Sequence, residues 1–216
     1  MHQTQIAAAL EKYFGTPRTP KFLEVAPEEQ QPVERQEPLL VPKFDAQHLA
    51  HGRDVYIRQC AGCHGATGDG NGPAARYLDP LPRDYRLGRF KFTSTPRGNK
   101  PRREDLARII RRGAKGTSMP TFRWIADEDL DAVIDYVILL SSRGEMEYRL
   151  IRVSQQELGE EDPVDAELVA EQAQTIAGGW AEAVVVSRKP GHSIHFPSPH
   201  SQTVDFGPRR MYECPS

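Results

Sequence analysis

Cys60-Ala61-Gly62-Cys63-His64 is the stretch on which the fold of this chain turns. C-x-x-C-H is the attachment signature of a c-type haem. Two thiols at this spacing can form thioethers to the vinyl groups, and the adjacent imidazole becomes the proximal iron ligand. C-x-x-C also suits a redox dithiol or half of a zinc site. A compact zinc site needs two further ligands nearby, yet the remaining cysteine is Cys214, far along the chain. A thioredoxin-like dithiol would follow apolar strands in a βαβ pattern, and none precedes Cys60. The reading is one covalently bound haem c, and so a chain that carries electrons.

Outward from that signature, residues 45 to 59 read as a helix. Asp45 is its N-cap, and Leu49, Val55 and Tyr56 are its apolar contacts. Gly52 within it costs about 1 kcal/mol against alanine, which a close helix crossing would explain. Gly65, Gly68, Gly70 and Gly72 turn the chain repeatedly after the signature. Pro80 to Pro101 is a basic loop carrying Tyr85, Phe90 and Phe92. Helices are expected over 103 to 112, ended by Gly113, and over 127 to 140, where Leu130, Val133, Ile134, Val137 and Ile138 repeat at helical spacing.

The flanks are less patterned. Residues 6 to 14 fit a short helix ended by Gly15, and the stretch to Pro42 reads as an extended arm. An acidic helix is expected over 164 to 176. Glu182 to Ser187 reads as a strand-like run, and 188 to 210 as a linker. The resulting division is an arm over 1 to 42, a haem segment over 43 to 143, and an acidic helix with linker over 144 to 216.

The chain has 216 residues, of which 38% are hydrophobic, and a formal net charge of -2. That charge is unevenly spread. Residues 83 to 115 hold twelve Lys/Arg against three Asp/Glu, while 154 to 182 hold eight Asp/Glu and no Lys/Arg. The basic block lacks a reading helix or a stacking surface, so nucleic acid is not the expected partner. No run is long and apolar enough for a membrane span, and the start carries no export signal.

Haem propionates need solvation or pairing, and the loops offer Arg83, Tyr85, Arg89, Lys91 and Trp124. Individually each cation also reads as an ordinary solvent-facing side chain, and Trp124 as a core aromatic. His48, His51, His192, His195 and His200 are weaker iron-ligand candidates, the first two on a helix surface.

Gly52-Arg53-Asp54-Val55-Tyr56, Cys60 to Gly65, Asp69-Gly70-Asn71-Gly72-Pro73, Gly116-Thr117-Ser118-Met119-Pro120 and Asp135-Tyr136-Val137-Ile138 together resemble class I cytochromes c. The resemblance is to bacterial monohaem domains of the cytochrome c6 and cbb3-oxidase subunit III kind. It implies an all-α fold of three to five helices around one haem, with the N- and C-terminal arms outside it. It implies that Gly52 and Tyr56 meet Tyr136 or Val137 at a helix crossing. It assigns the second axial ligand to Met119 and the acceptor for the other His64 nitrogen to the Pro73 carbonyl. The basic loop and Phe14-Gly15-Thr16-Pro17 resemble multidomain cytochromes of planctomycete type. There the ending Cys214-Pro215-Ser216 would open a second C-x-x-C-H and a second cytochrome domain.

The function implied is electron transfer, as a subunit of a membrane-associated respiratory complex in the periplasm or on the outer face of an energy-transducing membrane. Partners would be redox proteins or other subunits of that complex. Two other readings stay open: a haem enzyme or gas sensor with an open sixth position, and an assembly module whose haem is an internal relay. No acid/base constellation calls for an enzyme.

Overall fold

The computed structural model describes residues 2–23, 45–159 and 162–185. Among them are six α-helices, one 3-10 turn over Ala75–Tyr77 and no strand beyond an isolated bridge between Gly15 and Pro20. The helices are α1 (His2–Phe14), α2 (Ala46–Gln59), α3 (Ala61–His64), α4 (Arg103–Arg112), α5 (Asp127–Gln156) and α6 (Ala166–Val185). The fold is all-α, as expected. The linker over 188 to 210, the tail histidines His192, His195 and His200, and Cys214-Pro215-Ser216 lie outside the described residues.

α2 starts as its sequence predicts, with the Asp45 side chain accepting from the His48 N–H at 2.8 Å. It crosses α5 at Gly52. A Cβ there would stand 2.1 Å from the Ala132 carbonyl oxygen and 3.1 Å from Tyr136 Cβ, so only glycine lets the two backbones meet. Four residues on, the rings of Tyr56 and Tyr136 lie 5.5 Å apart. His48 and His51 are helix-to-helix ties, not simple surface residues: they bond Asp135 at 2.9 Å and Asp129 at 2.6 Å on α5.

α5 is the core of the molecule. From Ala132 to Ser142 every residue is buried, the mark of a helix covered on all sides. The helix does not stop near residue 140 as the sequence suggests, but continues to Gln156. The basic loop packs closely on it at Gly144, where a Cβ would stand 2.4 Å from Arg86 Cβ. The continuous helix runs through the boundary drawn after Arg143.

The extension has its own coat. α1 lies on α5 and buries Ile6, Leu10 and Phe14, one face at four-residue spacing. It begins four residues earlier than the apolar pattern suggests. α6 also packs on α5, burying Val169, Ala173, Ile176, Ala177 and Trp180. The strand-like valines are helical as far as Val185. Tertiary contact overrides their β preference, since Ala183 is buried and Arg102 donates to the Ala183 and Val184 carbonyls at the end of the helix.

Candidate haem site

α2 ends at Cys60, and the chain re-enters one helical turn, α3, that carries Ala61 to His64. Cys63 and His64 both donate backbone N–H groups to the Cys60 carbonyl, at 3.1 and 2.9 Å. The turn therefore sets the stretch of backbone that carries both thiols and the imidazole. The glycine-rich segment that follows folds back over it. Gly70 N bonds the His64 carbonyl at 2.9 Å, Gly72 N the Cys63 carbonyl at 3.1 Å, and Ala74 N the Gly62 carbonyl at 2.9 Å. The carbonyls that a short helix leaves without intrahelical partners are thus satisfied.

Cys60 and Cys63 are free and half-buried. Burial, with a smaller push from Cys63, raises the Cys60 thiol to about 12. Burial also lowers the His64 imidazole below its ordinary value, against the opposing effect of its bond to the Arg83 carbonyl. The ring is thereby held neutral, the form that ligates metal. Its Nδ1 lies 3.4 Å from the Arg83 carbonyl, while no hydrogen bond among the described residues reaches Nε2. This donor set fits a c-type haem: two unpaired thiols three positions apart, and an imidazole with one nitrogen near a carbonyl acceptor and the other unbonded.

The second-nitrogen acceptor is where the structure departs from the expected arrangement. Nδ1 faces Arg83, and no bond to the Pro73 carbonyl is made among the described residues. Pro73 is exposed and borders an open groove of about 520 Å³ with Asn71, Gly72, Ala75, Arg76 and Leu81. The loop from 80 to 88 crosses close to the imidazole, so its carbonyl reaches the nitrogen first.

Tyr85, a candidate partner for a propionate, is engaged elsewhere among the described residues. It is buried, its hydroxyl donates to the Tyr56 hydroxyl at 2.7 Å, and Tyr56 donates to the Gly65 carbonyl at 2.7 Å. Burial raises both tyrosines above their ordinary range, so they stay protonated. Arg83, Arg89 and Lys91 are exposed. Trp124 is 66% exposed, its ring 5.9 Å from Phe122.

Met119 is half-buried on the loop after α4, and its backbone is pinned. Ala114 N donates to its carbonyl at 3.3 Å, and its own N–H donates to Thr117 Oγ1 at 3.2 Å. A fixed backbone leaves the thioether side chain as the adaptable part of that loop.

Residues 47–137 match the family described as "Cytochrome C oxidase, cbb3-type, subunit III". That segment is similar to cytochrome c domains of this family. Haem-based electron transfer is the chemistry of that family. A chain of the Kuenenia stuttgartiensis reducing HAO-like protein complex is similar at 30% identity, covering 53% of this chain and 47% of its own length, with a TM-score of 0.41. This chain therefore spans about half the length of that relative. No curated protein matches it.

Sequence reasoning missed how the segment around the Cys60–His64 turn is braced from outside. Trp180 on α6 and Phe90 on the loop join Tyr85 in one aromatic series, with Phe90 6.1 Å from each neighbour. A lone tryptophan in an acidic helix was the available signal. Lys100 and Glu145, a buried ion pair, carry no local signal at all.

Proposed function

We propose that this chain is an electron-transfer subunit carrying one haem c, attached through Cys60 and Cys63 and ligated by His64 and Met119. The observation that carries the reading is the Cys60–His64 turn itself, with both thiols unpaired and His64 held by Nδ1 so that Nε2 is left for a metal. Bound haem supplies a one-electron couple, raised in potential by Met/His ligation. The protein's part is to orient the imidazole, present the Met119 thioether and limit water around both.

Partners meet a surface whose charge is partly spent. Of the twelve cations over 83 to 115, Arg86, Lys100, Arg102, Arg103, Arg108 and Arg111 are engaged with carboxylates or backbone carbonyls. Arg83, Arg89, Lys91, Arg97, Arg112 and Lys115 are exposed. These six suit weak, salt-sensitive encounters with an acidic redox partner in a respiratory complex. We place that encounter in the periplasm or on the outer face of an energy-transducing membrane, where c-type haem is attached. No helix among the described residues is long and apolar enough to cross a membrane.

A reduced-minus-oxidised spectrum of the matured protein tests the reading. A low-spin His/Met spectrum unchanged by imidazole or carbon monoxide is expected. A high-spin site that binds either ligand would instead favour an open-site enzyme or sensor.

A further inference from the structure

We propose that Tyr85 is a positioning residue for the proximal imidazole, bracing the His64 ring through an aromatic stack anchored in α6. The inference rests on the electron-transfer reading above and concerns the same site.

The His64 and Tyr85 ring centroids are 5.3 Å apart, with planes 35° from parallel. Tyr85 stacks on Phe90 at 6.1 Å and 6°, and Phe90 meets Trp180 edge-on at 6.1 Å and 68°. The far end is fixed. The Trp180 indole N–H donates to Ser142 Oγ at 2.9 Å, and Ser142 in turn donates to the Ile138 carbonyl at 2.8 Å, both on α5. Lys100 Nζ sits 5.3 Å from the centroid of the indole.

The near end is fixed twice. Tyr85 N donates to the Gly68 carbonyl at 3.1 Å, and its hydroxyl is held by the Tyr56 hydroxyl that bonds Gly65, the residue next to His64. Tyr85 therefore cannot turn away without breaking a buried hydrogen bond. His64 by contrast has a single contact of 3.4 Å on Nδ1, long for an N–H···O bond. One weak bond selects a tautomer but leaves the ring able to pivot. A neighbouring aromatic face held at both ends closes that freedom.

Imidazole orientation, and the low-dielectric shell around it, are levers by which a protein tunes a haem. Removing the brace admits water beside His64 and favours the more highly charged oxidised state. The expected result for Tyr85→Leu is an about tenfold shift of the oxidised-to-reduced ratio toward oxidised at a given potential, or ~59 mV for one electron. The low-spin electron paramagnetic resonance signal of the oxidised protein should change with it. Phe90→Leu should shift both in the same direction, and Tyr85→Phe, which keeps the stacked ring and the backbone bond to Gly68 but loses the hydroxyl anchor, should shift both less than Tyr85→Leu does.

Haem content by pyridine haemochrome separates the two levels of argument. Wild-type protein matured without covalent haem would overturn the electron-transfer reading and this one with it. Haem-bearing Tyr85→Leu or Phe90→Leu protein with unchanged potential and unchanged resonance would overturn the brace alone. If Tyr85→Leu does not fold, Phe90→Leu decides, because Phe90 is only half-buried.

Discussion

Lys100 and Glu145, 45 positions apart, meet as a buried ion pair with side chains only 9% and 11% exposed. Burial lowers the Lys100 ammonium, against the raising effect of the Glu145 charge and hydrogen bond. The lysine also donates to the Gly88 carbonyl at 3.3 Å, so one side chain ties the basic loop to α5. Glu145 keeps a second partner in Arg149, which donates to it twice at 3.1 Å.

Removing one member of a buried pair costs about 3–5 kcal/mol when the other charge is left alone. Arg149 shields Glu145 here, so Lys100→Met should lie at the low end, about 3 kcal/mol. Denaturant unfolding measures it. A loss below about 1 kcal/mol would show that Arg149 suffices.

Gly52→Ala should destabilise by about 1–3 kcal/mol, the usual cost of forcing a methyl group into a packed contact. The added carbon would meet backbone at Ala132, which cannot rotate aside. The unfolding midpoint should fall while haem attachment at the separate Cys60–His64 turn persists. An unchanged midpoint would mean that the helices cross less tightly than described.

Asp105 predicts the acid behaviour of the α4 region. Burial raises its carboxyl, but bonds from Ser94 N at 2.7 Å, Arg108, Ser94 Oγ at 2.9 Å and Arg102 N at 3.2 Å outweigh this and hold it below its ordinary value. A carboxyl lowered by folding stabilises above its unfolded value of about 3.9, and that contribution is lost as pH falls through the folded value. Asp105→Asn should therefore be less stable than wild type at neutral pH, with the gap closing below about pH 4. A gap of constant size across that range would refute the assignment.

Met119→Ala should leave covalent haem content intact and open the sixth position to carbon monoxide. Cys60→Ala should halve the thioether linkage and shift the pyridine haemochrome band. A Met119→Ala protein that still excludes carbon monoxide would remove Met119 as ligand.

Much of this was legible from residue pattern. Asp45, Gly113 and the spacing from Leu130 to Ile138 located three helices because caps and apolar periodicity are local signals. The Gly52 crossing was legible because glycine in a helix interior needs a reason. The end of α5 was not: the stretch beyond residue 140 is covered by Arg86 of the basic loop and by α1 and α6, long-range contacts that no local pattern announces. Nor was the acceptor for His64, since the Arg83 carbonyl belongs to a loop whose path depends on Tyr85 finding Tyr56. Backbone carbonyls have no residue signature.

The length of α5 has a further consequence. Thirty residues of continuous helix extend about 45 Å, with α2 crossing its first half at Gly52 and Ala132 and α1 and α6 also packed along it. A partner seated on α1 or α6 would be held by a rod, with no flexible tether between it and the helices around the Cys60–His64 turn. Its distance and angle to the Cys60–His64 turn would be set when the chain folds, so electron exchange would begin from a fixed geometry and not from a search through an effective concentration.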